Sequence, residues 1–350
     1  MKYYCMNCNS EFEPKNDLIK CGSCGHALWV KPEIKKFFTK DDLIKNDFTM
    51  WRYAKAYPLN HEDITVTFNE TMTPLAKACV SEDSSGNGGS AYAGYAAKAG
   101  IDCNIYVPAN TSLGKVVQTR IYGAQCIEVE GERHDVADQA MTCNERDNSQ
   151  YVGHNWHPLF IEGVKSIAYE IWEQCDYCAP DNFVAPAGNG SILAGAYLGF
   201  SELLTSGQIE RMPRIFGIQN NVVKPFVEAY NGEEVNENPG SDTIAEGIKI
   251  KRSSRHDEVL SFVKETNGAF IAVDDAEIKQ ALFQMGAQGF FIEPTSATAF
   301  AGINALIKSG HISEGEVTVG VVTGHGLKAN NKLQNLLTEQ ESENESSANE

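Results

Sequence analysis

The stretch Phe183–Ser191, FVAPAGNGS, followed at once by ILAGAYLGF, constrains the fold more than any other part of this sequence. An apolar run of strand type breaks at Gly188, and Asn189, Gly190 and Ser191 form a polar turn. A small-residue run of helical type follows. A strand that passes through a tight turn into a helix leaves the first N–H groups of that helix bare. Those groups and the positive dipole end suit a phosphate, and glycine lets the backbone approach the anion closely. Taken alone, the same turn also reads as an ordinary strand-to-helix connection.

The surrounding chain repeats the pattern. Strands are expected at 104–108, 125–129, 151–153, 214–219, 269–273 and 317–322. Helices are expected at 112–123, 135–143, 158–174, 256–266, 274–286 and 294–309. Strands alternating with helices argue for parallel sheets covered by helices, with ligands at the C-terminal strand ends. A chain of 350 residues suffices for two such domains.

Other stretches bound the chemistry. Cys5, Cys8, Cys21 and Cys24 form CxxC-x12-CxxC, two knuckles whose four thiolates make a closed tetrahedral set of the kind structural zinc occupies. So small a segment lacks a core, and a metal would hold it together. The arm 31–70 carries Trp51, Tyr53 and Tyr57, which read as aromatic anchors on the body. Ser84-Ser85-Gly86-Asn87-Gly88 is a turn before an Ala/Gly-rich helix, where Asn87 is either a helix cap or a ligand contact. Cys175 and Cys178 form a lone CxxC at a helix end and read as ordinary cysteines.

A formal charge of −18 argues against a nucleic-acid or anionic-membrane surface. The sequence has neither a bilayer-length apolar run nor a signal-type N-terminus, so a cytoplasmic protein with reduced or metal-bound cysteines is expected. The acidic end, EQESENESSANE, is expected to be disordered.

The motifs MTPL, DSSGNGGSAYAGYAAKAGI, IEGVKSIAYEI, APAGNGSILAGAYLGF, IEPTSATAFAG and VTGHGLK occur in this order over most of residues 51–328, with WRYAKAYPL before them. In these the chain resembles threonine synthase and its close paralogues, pyridoxal-phosphate enzymes of the tryptophan-synthase-β kind, fold type II. The resemblance implies two open parallel-sheet α/β domains behind a zinc-ribbon-like segment. The divisions expected are 1–30 for that segment, 31–70 for the arm, 71–155 for a shortened small domain, 156–336 for the large domain, and 337–350 for the tail. It implies pyridoxal 5'-phosphate with its phosphate on Gly188, Asn189, Gly190 and Ser191. Asn87 would meet the ring hydroxyl and Thr323 the pyridine nitrogen, where a hydroxyl leaves that nitrogen largely unprotonated. It also implies a small amino-acid substrate, and a homodimer. An intact relative would convert O-phosphohomoserine and water to threonine and phosphate.

Two departures limit what carries over. The family's Schiff-base lysine lies between TPL and SSGN in a motif of the type SFKDRG. Here only AKACVSED separates Leu75 from Ser84, so no residue matches that lysine. Lys77 is nearest in sequence but in a different context, and Lys115, Lys165 and Lys328 match other lysines of the family. Without it the chain is expected to lack a positioned base, whether by true loss or by an in-frame gap in the coding sequence as written. The second departure is Phe160, which stands where related threonine synthases often carry a phosphate-binding arginine. The competing expectations are therefore a non-catalytic cofactor- or ligand-binding paralogue and an elimination or replacement enzyme acting on another amino acid.

Overall fold

The computed structural model describes residues 2–348 except 16–17, 32–37, 48, 59–78, 85, 110, 112, 132, 143–148, 238 and 241–242. Lys77 and the TPL motif lie outside the described residues. Two compact units emerge: Met1–Cys178 with Gly195–Arg211, and Ala179–Ala194 with Met212–Glu350.

The first unit opens with a small antiparallel sheet of β1 (Lys2–Tyr4), β2 (Glu11–Phe12) and β3 (Trp29–Lys31), in the order β2-β1-β3. Its main sheet is wholly parallel, β6-β5-β4-β7, from β4 (Cys79–Glu82), β5 (Asp102–Pro108), β6 (Gln125–Val129) and β7 (Gln150–Tyr151). Helices Asn87–Ala99, Leu113–Ile121 and Arg133–Met141 connect these strands. Ala93, Ala96, Ile105, Val107 and Val116 fill the core between helix and sheet.

The second unit carries another parallel sheet, β10-β9-β8-β11, built from β8 (Asn182–Pro186), β9 (Arg214–Asn220), β10 (Phe270–Val273) and β11 (Thr318–Gly320). Helices Asp275–Ala287 and Pro294–Lys308 pack on it through Ile278, Ala281, Ala297, Ala301 and Leu306. The first of these starts with a reciprocal cap between Asp274 and Glu277. The α/β class and parallel sheets expected from the alternation are therefore present.

Three expectations are corrected. The boundary expected at residue 155 lies instead at Cys178, because the stretch 158–174 belongs to the first unit. There Tyr169 and Trp172 pack on Phe38 of the arm, and Arg52 binds Glu173 through both carboxylate oxygens. Trp51, Tyr53 and Tyr57 are buried as the anchoring role requires. That stretch is also two helices, Pro158–Val164 and Ser166–Gln174, and the Ser166 hydroxyl bonds the Gly163 carbonyl at their junction. Finally, the acidic tail is helical: Asn330–Ala348 form one helix. Leu333 and Leu336 seat its first turns on the core, and Thr338 and Ser342 donate to carbonyls four residues back. Apolar anchoring at one end supplies what an isolated polar helix lacks.

No helix among the described residues is long and apolar enough to cross a membrane.

Candidate functional site

In the second unit the turn after β8 has the form its sequence predicts. β8 is buried along its whole length, and Ala187 N–H extends its pairing to Ile218 O at 2.8 Å. Gly190 then takes φ +79°, the left-handed region that favours glycine. A Cβ there would lie 2.8 and 3.0 Å from the Val259 methyls and 3.3 Å from the Phe226 ring. At Gly188 a Cβ would meet the Gly247 carbonyl oxygen at 3.1 Å. The Ser253 hydroxyl donates to Asn189 O at 2.7 Å, fixing the loop from its far side. The helix Ser191–Thr205 begins directly after the turn. The result is a glycine-lined helix N-terminus at the C-terminal end of a central parallel strand, a cradle that fits a phosphate.

Sequence reasoning missed one residue that builds this cradle. Gln219, fully buried on β9, donates to Ala187 O at 3.1 Å and accepts from Phe226 N–H at 2.9 Å and Val227 N–H at 3.1 Å. It joins the end of β8 to the helix Pro225–Asn231, which carries Phe226. A lone polar residue in an apolar strand was its only signal.

Thr323, in the same unit, follows β11. Its hydroxyl donates to Glu293 at 2.8 Å and lies 3.0 Å from Ser296 Oγ, which also accepts the N–H groups of Thr323 and Gly324. Glu293 and Ser296, in the EPTS motif that starts the helix Pro294–Lys308, thus set the orientation of Thr323. Partial burial pushes the nearby Lys328 ammonium down, opposed by the charge of Glu293.

In the first unit, Asn87 is the opening residue of its helix rather than the cap. The cap position is Gly86, which has no side chain to offer. Gly89 is required by space, because a Cβ would fall 2.0 Å from Ser84 O. Phe160 does not mimic an arginine: its ring lies edge-on to His154, 5.5 Å between centroids.

The four N-terminal cysteines converge. Their sulfurs all lie within 4.8 Å of one another, and Cys5–Cys24 and Cys8–Cys21 are 3.5 Å apart. Sulfurs about 3.8 Å apart are what four bonds of about 2.3 Å to a tetrahedral ion require. The His26 backbone N–H and the Asn7 side chain hold the Cys24 thiol down at about 5, whereas burial pushes the Cys5 thiol up to about 12.

Comparison with known proteins agrees with this architecture. Residues 64–324 match the family described as pyridoxal-phosphate dependent enzyme. Threonine synthase of Methanocaldococcus jannaschii is 28% identical over 93% of this chain and 92% of its own length. That alignment runs over 374 positions, more than the 350 residues of this chain, so the relative carries residues with no counterpart here. Threonine synthase of Mycobacterium tuberculosis is 32% identical over 70% of this chain and 67% of its own length. Among solved structures, threonine deaminase isoform 2 from Solanum lycopersicum superposes with a TM-score of 0.62 at 20% identity, covering 79% of this chain and 71% of that one. Maize serine racemase gives 0.61 at 21%, covering 76% and 78%.

Proposed function

The chain belongs to the pyridoxal-phosphate dependent enzyme family as a threonine-synthase-like member of fold type II, and from that premise we propose that it holds pyridoxal phosphate without a covalent bond to the chain and acts on a small amino acid. The observation that carries the reading is the Gly190 turn, a left-handed glycine walled by Val259 and Phe226 at the start of a 15-residue helix. Gly188, Asn189, Gly190 and Ser191 would hold the phosphate through backbone N–H groups. Asn87 would hold the ring hydroxyl, and Thr323, fixed by Glu293 and Ser296, would stand at the ring nitrogen. Bound pyridoxal phosphate supplies a sink for the electron pair left at Cα when an amino acid loses a proton. The reaction of an intact relative, O-phosphohomoserine and water to threonine and phosphate, is the reference for this chain. Phe160 offers no charge to a substrate phosphate, which favours an amino acid without one.

The test is absorbance titration with pyridoxal phosphate, then borohydride reduction and peptide mass analysis. Binding in the micromolar range, about −8 kcal/mol, is expected, with no lysine labelled. Full-occupancy labelling of Lys77 or any other single lysine would overturn the non-covalent reading; absence of binding would overturn the cradle.

We also propose a structural zinc at Cys5, Cys8, Cys21 and Cys24. Metal analysis under thiol-protecting conditions should return about one zinc per chain. Cys21→Ser should remove it and loosen β1–β3 while leaving cofactor affinity unchanged. A metal-free wild-type protein would refute the site.

A further inference from the structure

The chain leaves its first unit at Cys178, through a turn that begins at Cys175. By sequence alone these two read as ordinary cysteines, but the backbone between them is unusual. The helix Ser166–Gln174 ends with Cys175 N–H on Ile171 O at 2.8 Å. The next two residues, Asp176 and Tyr177, both take positive φ, +53° and +64°. Residues with a Cβ enter that left-handed region at a cost, so two in succession must be held there. Tyr177 is the holding group. Its N–H donates to Trp172 O at 2.8 Å, its ring meets the buried Trp172 edge-on at 5.0 Å, and the Lys40 ammonium lies 3.4 Å from the ring centre. Cys178 N–H then closes the turn on Cys175 O at 3.0 Å. A four-residue turn keeps its outer Cα atoms within about 7 Å, and a disulfide spans about 4.4–6.8 Å between Cα atoms. The two thiols differ in access: Cys178 is exposed, with its sulfur 3.8 Å from Asp176 O, and Cys175 is half-buried. Burial first, then the nearby Cys178 and Asp176, push the Cys175 thiol up. Cys178 is therefore the thiol that meets a reagent, and Cys175 the one that follows.

We propose that Cys175 and Cys178 form a reversible disulfide site, closed by exchange with a small-molecule disulfide of the glutathione class, and that closure clamps the end of the helix Ser166–Gln174. Exchange takes two displacements. Cys178 gives up its proton, its thiolate attacks one sulfur of the small disulfide, and that S–S bond breaks as one glutathione thiolate leaves with the electron pair. Cys175 then loses its proton, and its thiolate attacks the Cys178 sulfur and expels the second glutathione thiolate. Both leaving thiolates take up protons. Two protein thiols are oxidised and one small disulfide is reduced to two thiols; an excess of thiol reverses both steps. The turn already holds the second thiol beside the first, which favours ring closure over persistence of the mixed disulfide. The clamped helix end is one that anchors the arm: Trp172 packs on Phe38, and Glu173 binds Arg52. Neither the cofactor nor the zinc enters this chemistry.

The test uses full-length protein purified without chelator and equilibrated with mixtures of reduced and oxidised glutathione. The samples are quenched with an alkylating agent and mapped by peptide mass. As the oxidised fraction rises, the peptide carrying both cysteines should lose two hydrogen atoms and escape alkylation, and dithiothreitol should restore both thiols. A synthetic peptide of residues 171–181 is the unstructured reference, and the folded turn should close at least about tenfold more readily. In Cys175→Ser, Cys178 should stop at the glutathione adduct that the wild type resolves. In the oxidised protein the Tyr177 and Cys178 amides should exchange hydrogen about threefold or more slowly than in the reduced one. Closure no easier than in the peptide, an adduct on Cys178 as abundant in the wild type as in C175S, or pairing of either cysteine elsewhere would each overturn the site. Unchanged amide exchange on oxidation would overturn the clamp.

Discussion

Gly190→Asp is expected to abolish measurable pyridoxal phosphate binding while leaving the rest of the second unit folded. Three effects act in one direction. Gly190 sits at φ +79°, where a side chain costs about 1–2 kcal/mol. Its Cβ would lie 2.8 Å from a Val259 methyl, and the Phe226 ring at 3.3 Å blocks a shift to that side. Relief must therefore come from the turn itself, which moves the N–H groups that face the phosphate. The new carboxylate also places negative charge at the helix N-terminus meant for an anion, a repulsion of similar size to the roughly 0.3–2 kcal/mol by which that terminus favours a negative group. Together these reach about 3 kcal/mol, more than a hundredfold in affinity. Gly190→Ala keeps the strain and the overlap but adds no charge, so its loss should be intermediate. Absorbance titration gives the affinity, and a thermal melt confirms the fold. Unchanged affinity in the aspartate variant would place the phosphate elsewhere.

The strand–turn–helix form at Gly188–Ser191 was legible because its determinants are local. FVAPA is an uninterrupted apolar run, and the glycine–asparagine–glycine sequence that follows it marks a turn before a helix. The four cysteines were legible for the same reason, since spacing alone brings the sulfurs together. β4 was not. Its residues are Cys79-Val80-Ser81-Glu82, and Ser81 and Glu82 are fully buried although polar. Their burial depends on partners about 70 residues away, Ser149 bonded to Ser81 and His154 to Glu82. A four-residue window cannot show that compensation, so no strand was expected there. The His154–Glu82 pair was invisible for the same reason. The tail failed in the other direction: its composition is that of a disordered segment, but Leu333 and Leu336 lie just before it and anchor the helix it continues.

Lys165→Met should destabilise the first unit by about 3–5 kcal/mol near neutral pH, the usual cost of stranding a buried partner charge. Lys165 has no exposed side-chain surface, and its ammonium lies 2.6 Å from Glu162 and 2.8 Å from Glu202. Tyr169 donates its hydroxyl to the same Glu202. Burial alone would push this ammonium down, but the two carboxylates outweigh it and hold Lys165 above its ordinary range, so the charge persists in the fold. Two carboxylates share one cation, and burial already pushes Glu162 up against the pull of Lys165. Methionine fills similar space but leaves both carboxylates uncompensated. A buried carboxyl held above its unfolded value binds its proton more tightly in the folded state. Stability therefore falls as pH rises from the ordinary glutamate value of 4.5 toward the folded-state value. Without the lysine this slope should steepen, so the deficit at pH 7 should shrink on acidification toward 4.5. Adding Glu162→Gln and Glu202→Gln should recover part of the loss, because the remaining groups are neutral. All four tryptophans, Trp29, Trp51, Trp156 and Trp172, lie in the first unit, so urea unfolding followed by tryptophan fluorescence reads this unit alone. A deficit below about 1 kcal/mol at pH 7, the size of an exposed pair, would mean that the carboxylates reach water and that Lys165 is not the buried keystone its position between the two helices implies.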